Sequence, residues 1–358
     1  MTTTPPAPDL PRREVIGAWL LLLGFAALWL GVAWDGQWHI DVGPDTFFTA
    51  PHLMFYFGTS LIGLTALVVV LATTREVRRA REIRRGGARA GVRVLGRFSA
   101  PVPFLVAGLG AAGHLVYGAA DLWWHTVYGF DILEETPAHL SLSLAMQVEV
   151  VAVVLAFAAP RAAARGHRSW RWGLVAAGAL SVAAATLMLD GAVLGVDMSM
   201  LVVGAGCAWA LSLVAGVTRD PRWVLATGLL FAAVQAATLA FPPFVTEAYA
   251  DALGLPFRDD SIRLSVVGIA LPMVVPVVAA LAAGVVWLAR RRAARPRTAM
   301  LVLGALAAPL TALYVVVTDD ALRYPLPNLV LVGAVGAAVA WFGWQFAFLA
   351  TRKPKAST

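Results

Sequence analysis

The chain has 358 residues, of which 59% are hydrophobic and only 14% are charged, and its mean hydropathy is +0.75. A soluble protein of this length does not need so much apolar sequence. The uncharged runs 15–34 and 299–318 each have about the 20 residues that cross a bilayer. These properties exclude a soluble globular protein and predict an all-α, polytopic membrane helix bundle.

The apolar segments predict about ten transmembrane helices. A tail of residues 1–14 precedes them, and a tail of residues 351–358 follows them. The first four spans lie within residues 15–159, and the other six form a membrane bundle within residues 160–350. The predicted spans are about 15–38, 52–73, 99–124, 139–159, 172–190, 198–217, 223–242, 264–289, 299–318 and 326–350.

The basic residues are distributed unevenly along the chain, whose net charge is +7. If the loops alternate between the two sides of the membrane, Arg258, Arg263 and Arg323 are the only ones of the 28 Lys and Arg on one side. Because cytoplasmic loops carry the excess of Lys and Arg, both termini are predicted to be cytoplasmic. The charge therefore indicates orientation in a bacterial-type cytoplasmic membrane, and no nucleic-acid partner is expected.

Two segments share an order of polar residues and contain four of the six histidines. In each, an Asp is followed four residues later by a His, then by a Gly-x-Asp, and finally by a His close after a Pro. We interpret them as an internal repeat, with one copy in each of two helical hairpins, on the outer side. The residues are Asp35, His39, Asp45 and His52 in the first copy, and Asp121, His125, Asp131 and His139 in the second.

This pattern predicts a metal site in each hairpin. Residues four apart share one face of a helix, so Asp35 and His39 would approach His52 at the start of the next helix. The same holds for Asp121, His125 and His139. Two imidazoles and a carboxylate suit a transition metal, whereas Asp45 and Asp131 are expected either to orient the histidines by accepting hydrogen bonds or to serve as additional ligands. A single His near a membrane interface is more often a capping residue, but the recurrence favours metal ligands.

The segment 35–56 resembles the copper-site segment of the C subunit of particulate methane and ammonia monooxygenases. The resemblance rests on Asp35-x3-His39-x12-His52, on the intervening residues 44–52 (PDTFFTAPH) and on Phe55-Tyr56. It departs where Pro44 replaces the usual Arg and where Pro51 replaces Ser. The resemblance implies copper as the cofactor, with Asp35, His39 and His52 as its ligands; iron or zinc would also accept these residue types.

Two further ionisable residues are predicted to lie at membrane depth. His114 lies seven residues before Asp121 on one helix face, and Glu149 lies ten residues after His139. Ionisable groups inside a membrane are costly and are usually paired or functional. His114 and Glu149 are therefore expected either to pair with each other or to serve as additional ligands or a proton relay.

The favoured function is a membrane oxygenase that uses dioxygen on a small apolar or N–H-containing substrate, of the alkyl, amine or hydrazine type. No nucleotide-binding or flavin fingerprint occurs, so electrons would come from another donor, such as a quinol or a partner membrane subunit. One alternative is a copper- or zinc-handling protein without catalysis. The other is an accessory subunit of a larger membrane complex. The sequence leaves open whether the two motif copies bind separate metals or share one centre.

Overall fold

The computed structural model describes residues 11–43, 45–82, 92–128, 136–158, 168–187, 192–193, 195–318 and 326–351. Its elements are long helices with two short antiparallel β-hairpins between them. The helices are α1 (Arg12–Asp41), α2 (Ala50–Glu82), α3 (Val102–Tyr128), α4 (Pro137–Ala158), α5 (Arg168–Ala185), α6 (Met198–Thr218), α7 (Pro221–Leu253), α8 (Val266–Ala270), α9 (Val275–Arg291), α10 (Pro296–Thr318) and α11 (Leu326–Thr351). The strands are β1 (Val92–Val94), β2 (Phe98–Ala100), β3 (Ala192–Val193) and β4 (Val196–Asp197).

The predicted fold class, an all-α membrane helix bundle, is confirmed. Within the described ranges, nine helices are long and apolar enough to cross a membrane, against the ten expected. Helices α8 and α9 together form one of the nine, Val266–Arg291, which is interrupted next to Pro272. The predicted fifth span corresponds to α5, which has 18 residues and is not one of the nine. Helix α5 begins with Arg168 and Arg171, and most of its later residues are buried.

Helix α7 is longer than the sequence indicated. A span of about residues 223–242 was expected from the sequence, and a proline pair such as Pro242 and Pro243 usually breaks a helix. Instead α7 contains both prolines and continues to Leu253. Its C-terminus is capped by Gly254, whose φ of +64° suits that position. The loop that joins α7 to α8 therefore comprises residues 254–265, and the last turns of α7 reach the end of α1.

Helices α1 and α2 form a closely packed antiparallel pair. Three glycines lie at the contact, and a Cβ atom on any of them would meet the facing helix: 2.8 Å from Ile62 at Gly24, 2.6 Å from the Phe55 backbone nitrogen at Gly31, and 2.4 Å from the Leu28 backbone nitrogen at Gly58. Small residues allow membrane helices to approach closely. This approach brings the end of α1 against the start of α2.

Candidate metal centre

Four polar side chains converge where α1 ends and α2 begins. Asp35 and His39 belong to the last turns of α1, Asp45 to the connecting loop, and His52 to the first turn of α2. One ligand atom from each lies within 4.8 Å of those from the other three. His52 Nε2 is 3.0 Å from Asp35 Oδ1 and 3.1 Å from Asp45 Oδ2, and His39 Nε2 is 3.2 Å from Asp45 Oδ2. We call this group the α1–α2 cluster.

The loop between α1 and α2 holds Asp45 in place by local hydrogen bonds. Gly43 adopts a φ of +96°, which a residue with a side chain rarely adopts, and so turns the chain away from α1. The Asp45 Oδ1 atom accepts hydrogen bonds from the Thr46 backbone N–H, at 2.7 Å, and from the Thr49 hydroxyl. The carbonyl of Thr49 in turn accepts the N–H of Leu53 in the first turn of α2. The loop and the start of α2 are thus one hydrogen-bonded unit.

Asp45 was expected either to orient the histidines by accepting hydrogen bonds or to serve as an additional ligand. Its Oδ2 faces the Nε2 atoms of His39 and His52, and Asp35 Oδ1 also faces the Nε2 atom of His52. Burial raises the pKa of this carboxyl, but hydrogen bonds from His39, His52 and Thr49 outweigh burial and hold the pKa well below its usual range. Asp45 therefore contributes one of the four ligand-type atoms that lie together in the α1–α2 cluster.

The cluster is compact enough that it could hold a metal ion. Ligand atoms about 2.0–2.2 Å from one ion lie about 3.0–3.6 Å from each other. Three pairs here are 3.0–3.2 Å apart, His39 Nε2 is 3.8 Å from Asp35 Oδ1, and all four atoms lie within 4.8 Å of one another. Asp35 Oδ1 is buried and lies 3.0 Å from His52 Nε2. Two imidazole nitrogens and two carboxylate oxygens fit copper(II), zinc or ferrous iron.

The ring of His52 is oriented by aromatic packing. Its ring centroid lies 5.2 Å from that of Phe55 and 6.0 Å from that of Tyr56, both on α2. Its Nδ1 is buried without a hydrogen-bond partner among the described residues. Ligating histidines usually donate this second N–H to a carboxylate or carbonyl. The neighbouring rings on α2 therefore set the direction of Nε2.

The loop 254–265 fixes the end of α1 through residues that were not predicted to belong to the site. Asp41 is only 1% exposed; it accepts hydrogen bonds from Gln37 Nε2 at 2.7 Å and from the Arg263 N–H at 3.3 Å. The Arg258 N–H donates to the Asp41 carbonyl at 2.8 Å, and the Arg258 guanidinium donates to the His39 carbonyl at 3.3 Å. Two sequence signals could have indicated these contacts: the additional Asp41 just after the motif, and the basic residues Arg258 and Arg263 of the loop 254–265.

In the second hairpin the Asp and the last His also approach each other. Asp121 Oδ1 on α3 lies 3.4 Å from His139 Nε2 on α4, and both side chains are partly exposed. His125 follows Asp121 by one turn on α3, but its side chain is outside the description, as is the whole of Asp131. The part of the chain that the structure describes therefore brings two of the four predicted residues together here.

The two deep ionisable residues pair with each other rather than joining the α1–α2 cluster. Glu149 on α4 is 0% exposed; it accepts a hydrogen bond from Thr59 of α2 at 2.5 Å and lies 3.1 Å from His114 Nδ1 of α3. Gly110 makes room for it, because a Cβ there would lie 2.7 Å from Glu149 Cγ. We call Thr59, His114 and Glu149 the Glu149 triad. It joins the second hairpin to α2.

Comparison with known proteins gives no relative: no family model, curated protein or solved structure matches this chain.

Proposed function

We propose that this protein is a copper-dependent membrane oxygenase that acts with dioxygen on a small apolar or N–H-containing substrate, of the alkyl, amine or hydrazine type. The observation that carries the proposal is the convergence of Asp35, His39, Asp45 and His52 on one point at the end of a helical hairpin. Copper is preferred over iron and zinc because the spacing of Asp35, His39 and His52 resembles that of the copper-site segment described above.

In this proposal the four side chains of the α1–α2 cluster hold the ion, which when bound would supply the activation of dioxygen. Leu53 and Phe57 follow His52 on α2 and are exposed on the surface of the bundle, where the bilayer hydrocarbon would cover them. An apolar substrate dissolved in the membrane could therefore approach His52 from the lipid side. Electrons would come from a membrane donor or a partner subunit.

The second hairpin would hold a further ion through Asp121, His125 and His139, with Asp131 orienting them. The distance of 3.4 Å between Asp121 Oδ1 and His139 Nε2 supports this extension of the proposal. Whether the two hairpins bind separate ions is tested by metal stoichiometry in variants of each. The uneven distribution of basic residues supports cytoplasmic termini with both hairpin ends on the outer side.

The decisive experiment is to purify the protein, load it with copper and measure substrate-dependent oxygen consumption in lipid nanodiscs with a quinol as reductant. Replacing His39 or His125 with Ala should remove metal and activity together. Asp259→Ala, in the exposed part of the loop 254–265, is the matched control and should retain both. Full activity with unchanged metal content in His39→Ala would refute the proposal.

A second candidate is metal handling without catalysis. It is favoured by the fourth protein ligand, Asp45, since structural zinc sites are closed by four protein ligands whereas catalytic sites keep a position open. A handling protein would bind and release metal but consume no oxygen with any small substrate. The third candidate, an accessory subunit, would copurify with other membrane chains and be inactive without them. The oxygen measurement, made on the isolated chain and on any copurifying complex, separates all three.

A further inference from the structure

The short hairpin between α2 and α3 carries an exposed apolar tip flanked by arginines. Strands β1 and β2 pair antiparallel, with Val92 opposite Ala100 and Val94 opposite Phe98. Leu95, at the tip, is 85% exposed and is the most exposed large apolar side chain among the described residues. We call residues 92–100 the β1–β2 hairpin. A loop on the surface of a protein is usually polar, so this composition requires an explanation.

The backbone at the tip makes leucine an unfavourable choice for the turn itself. Leu95 and Gly96 have φ values of +49° and +66°, and the Arg97 N–H donates to the Val94 carbonyl at 3.1 Å. This is a turn that favours Asn-Gly, because a left-handed conformation costs an ordinary L-residue about 1–2 kcal/mol. Asn in place of Leu95 would relieve this conformational cost, and its polar side chain would be well hydrated at an exposed position. The leucine side chain therefore serves something other than the turn.

The position of the β1–β2 hairpin relative to the bilayer follows from its contacts with α2. The Ser99 N–H donates to the Thr74 hydroxyl at 2.9 Å, and the Arg78 guanidinium donates to the Arg97 carbonyl at 3.1 Å. Thr74 lies where the apolar run of α2 ends and its arginines begin. On the other side, α3 enters the bilayer at Val102, immediately after β2. The hairpin is therefore held at the membrane surface opposite the α1–α2 cluster.

The charges around the β1–β2 hairpin complement an anionic surface. Its own Arg93 and Arg97 are exposed. Further exposed arginines lie in the last turns of α2. The acidic residue among them, Glu76, is already paired with Arg13. A basic residue near an anionic leaflet contributes about 1 kcal/mol to its attraction. The neighbouring α2 residues are Arg75, Arg78 and Arg79.

From these observations we infer that the β1–β2 hairpin is a lipid-binding element: Leu95 inserts among the acyl chains of the adjacent leaflet, and Arg93 and Arg97 bind the phosphates of anionic phospholipids. The occupant is a lipid rather than a protein, because the hairpin is continuous with two spans that already enter the bilayer at its base. Shallow insertion of one apolar side chain between basic residues is a recurrent mode of interfacial binding. The inference does not depend on the metal site.

Insertion can be measured by depth-dependent quenching. Cys207 is the single cysteine of the chain and is buried, so Leu95→Cys can be labelled selectively with a fluorophore in the full-length protein, reconstituted in vesicles. Asp259→Cys, in the exposed loop 254–265, is the control. We expect lipid-borne nitroxides to quench the label at 95 severalfold more than the label at 259, and aqueous iodide to do the opposite. Iodide quenching at 95 equal to that at 259 would overturn the insertion.

Anionic selectivity is tested by lipid retention. The protein is purified from vesicles of equal phosphatidylglycerol and phosphatidylcholine, and the bound lipids are counted by native mass spectrometry. Substituting Arg93→Gln and Arg97→Gln together should lower the phosphatidylglycerol preference by about fivefold per arginine. The control is Arg292→Gln with Arg295→Gln, two exposed arginines of the turn between α9 and α10. An equal loss in both double variants would show that the charge alone, rather than the hairpin, selects the lipid.

Leu95→Asn distinguishes lipid binding from a role in folding. Asn suits the left-handed turn, so this variant should fold at least as stably in detergent as the parent protein. In vesicles it should lose phosphatidylglycerol retention, because the apolar contact that holds the arginines at the phosphates is absent. Unchanged retention in Leu95→Asn would show that the leucine has no part in lipid binding.

Discussion

The two hairpins that carry the Asp and His residues differ in how completely the rest of the chain surrounds them. The end of α1 is covered by the last turns of α7, where Trp38 is buried against Tyr249, and by the loop 254–265. At the end of α3, Trp123 and Tyr128 are exposed in the part of the chain that the structure describes. There Asp121 of α3 comes within 3.4 Å of His139 of α4. Among the described residues, four ligand-type atoms lie within 4.8 Å of one another in the α1–α2 cluster, to which a structured loop also contributes.

The largest expected effect is a loss of metal affinity, and it shows whether the two hairpins are separate metal sites. His52→Ala removes the imidazole whose Nε2 faces both Asp35 and Asp45. Its metal affinity should fall more than about 100-fold, since even partners that only orient a ligand cost roughly 10–100-fold when removed. His139→Ala should leave this affinity intact. Metal titration of both purified variants is the measurement, and equal losses would indicate one centre shared by the two hairpins.

The next effect concerns the connection between the hairpins. Glu149→Ala leaves Thr59 and His114 buried without their partner, so the free energy of unfolding should fall by about 3 kcal/mol. Gln147→Ala, on the same helix, removes a single hydrogen bond to the Ala184 carbonyl and should cost about 1 kcal/mol. Unfolding in mixed detergent micelles measures both.

The same variants show whether the α1–α2 cluster depends on the second hairpin. Thr59 follows His52 by seven residues, about 10 Å along α2, so Glu149→Ala should leave copper affinity at the cluster nearly unchanged. A large loss of affinity would mean that the Glu149 triad positions α2 for metal binding.

A smaller effect distinguishes a ligand from an orienting residue within the first hairpin. Asp45→Asn retains an oxygen that can accept from Thr46 and Thr49 but loses the charge between the two rings. Affinity should fall roughly 10–100-fold, as for Asp35→Asn, with Asp259→Asn as the control. If Asp45→Asn binds metal as the parent protein does while Asp35→Asn does not, the cluster has three ligands rather than four.

The proximity of side chains could be predicted from the sequence where a helical interval or a short loop fixes the distance between residues. The four-residue interval from Asp35 to His39 and the short loop before His52 suffice to predict that these three side chains meet. The direction of Asp45 could not be predicted in this way, because it depends on the φ of Gly43 and on hydrogen bonds within the loop. The pairing of His114 with Glu149 was one of two expectations, since spacing gives depth in the membrane but not contact between helices.

The contacts of the loop 254–265 could not be predicted for a related reason. Arg258 and His39 are 219 residues apart in the chain, so no spacing rule relates their positions. The extension of α7 past Pro242 and Pro243 brings this loop into place, against the usual effect of proline in a helix. The packing of α7 on α1, which includes a hydrogen bond of 2.9 Å from Trp29 Nε1 to the Thr238 hydroxyl, overrides that local tendency.

The smallest effect tests whether this distant loop matters to the cluster. Arg258→Ala removes the guanidinium hydrogen bond to the His39 carbonyl but keeps the backbone bond to Asp41. One hydrogen bond contributes about 1 kcal/mol, so metal affinity should fall about fivefold while the melting temperature changes little. Arg258→Lys can still donate to the carbonyl and should recover part of the loss, which a purely structural defect would not do. If affinity is unchanged in Arg258→Ala, the first hairpin is complete without the loop, and its difference from the second lies in the α1–α2 turn alone.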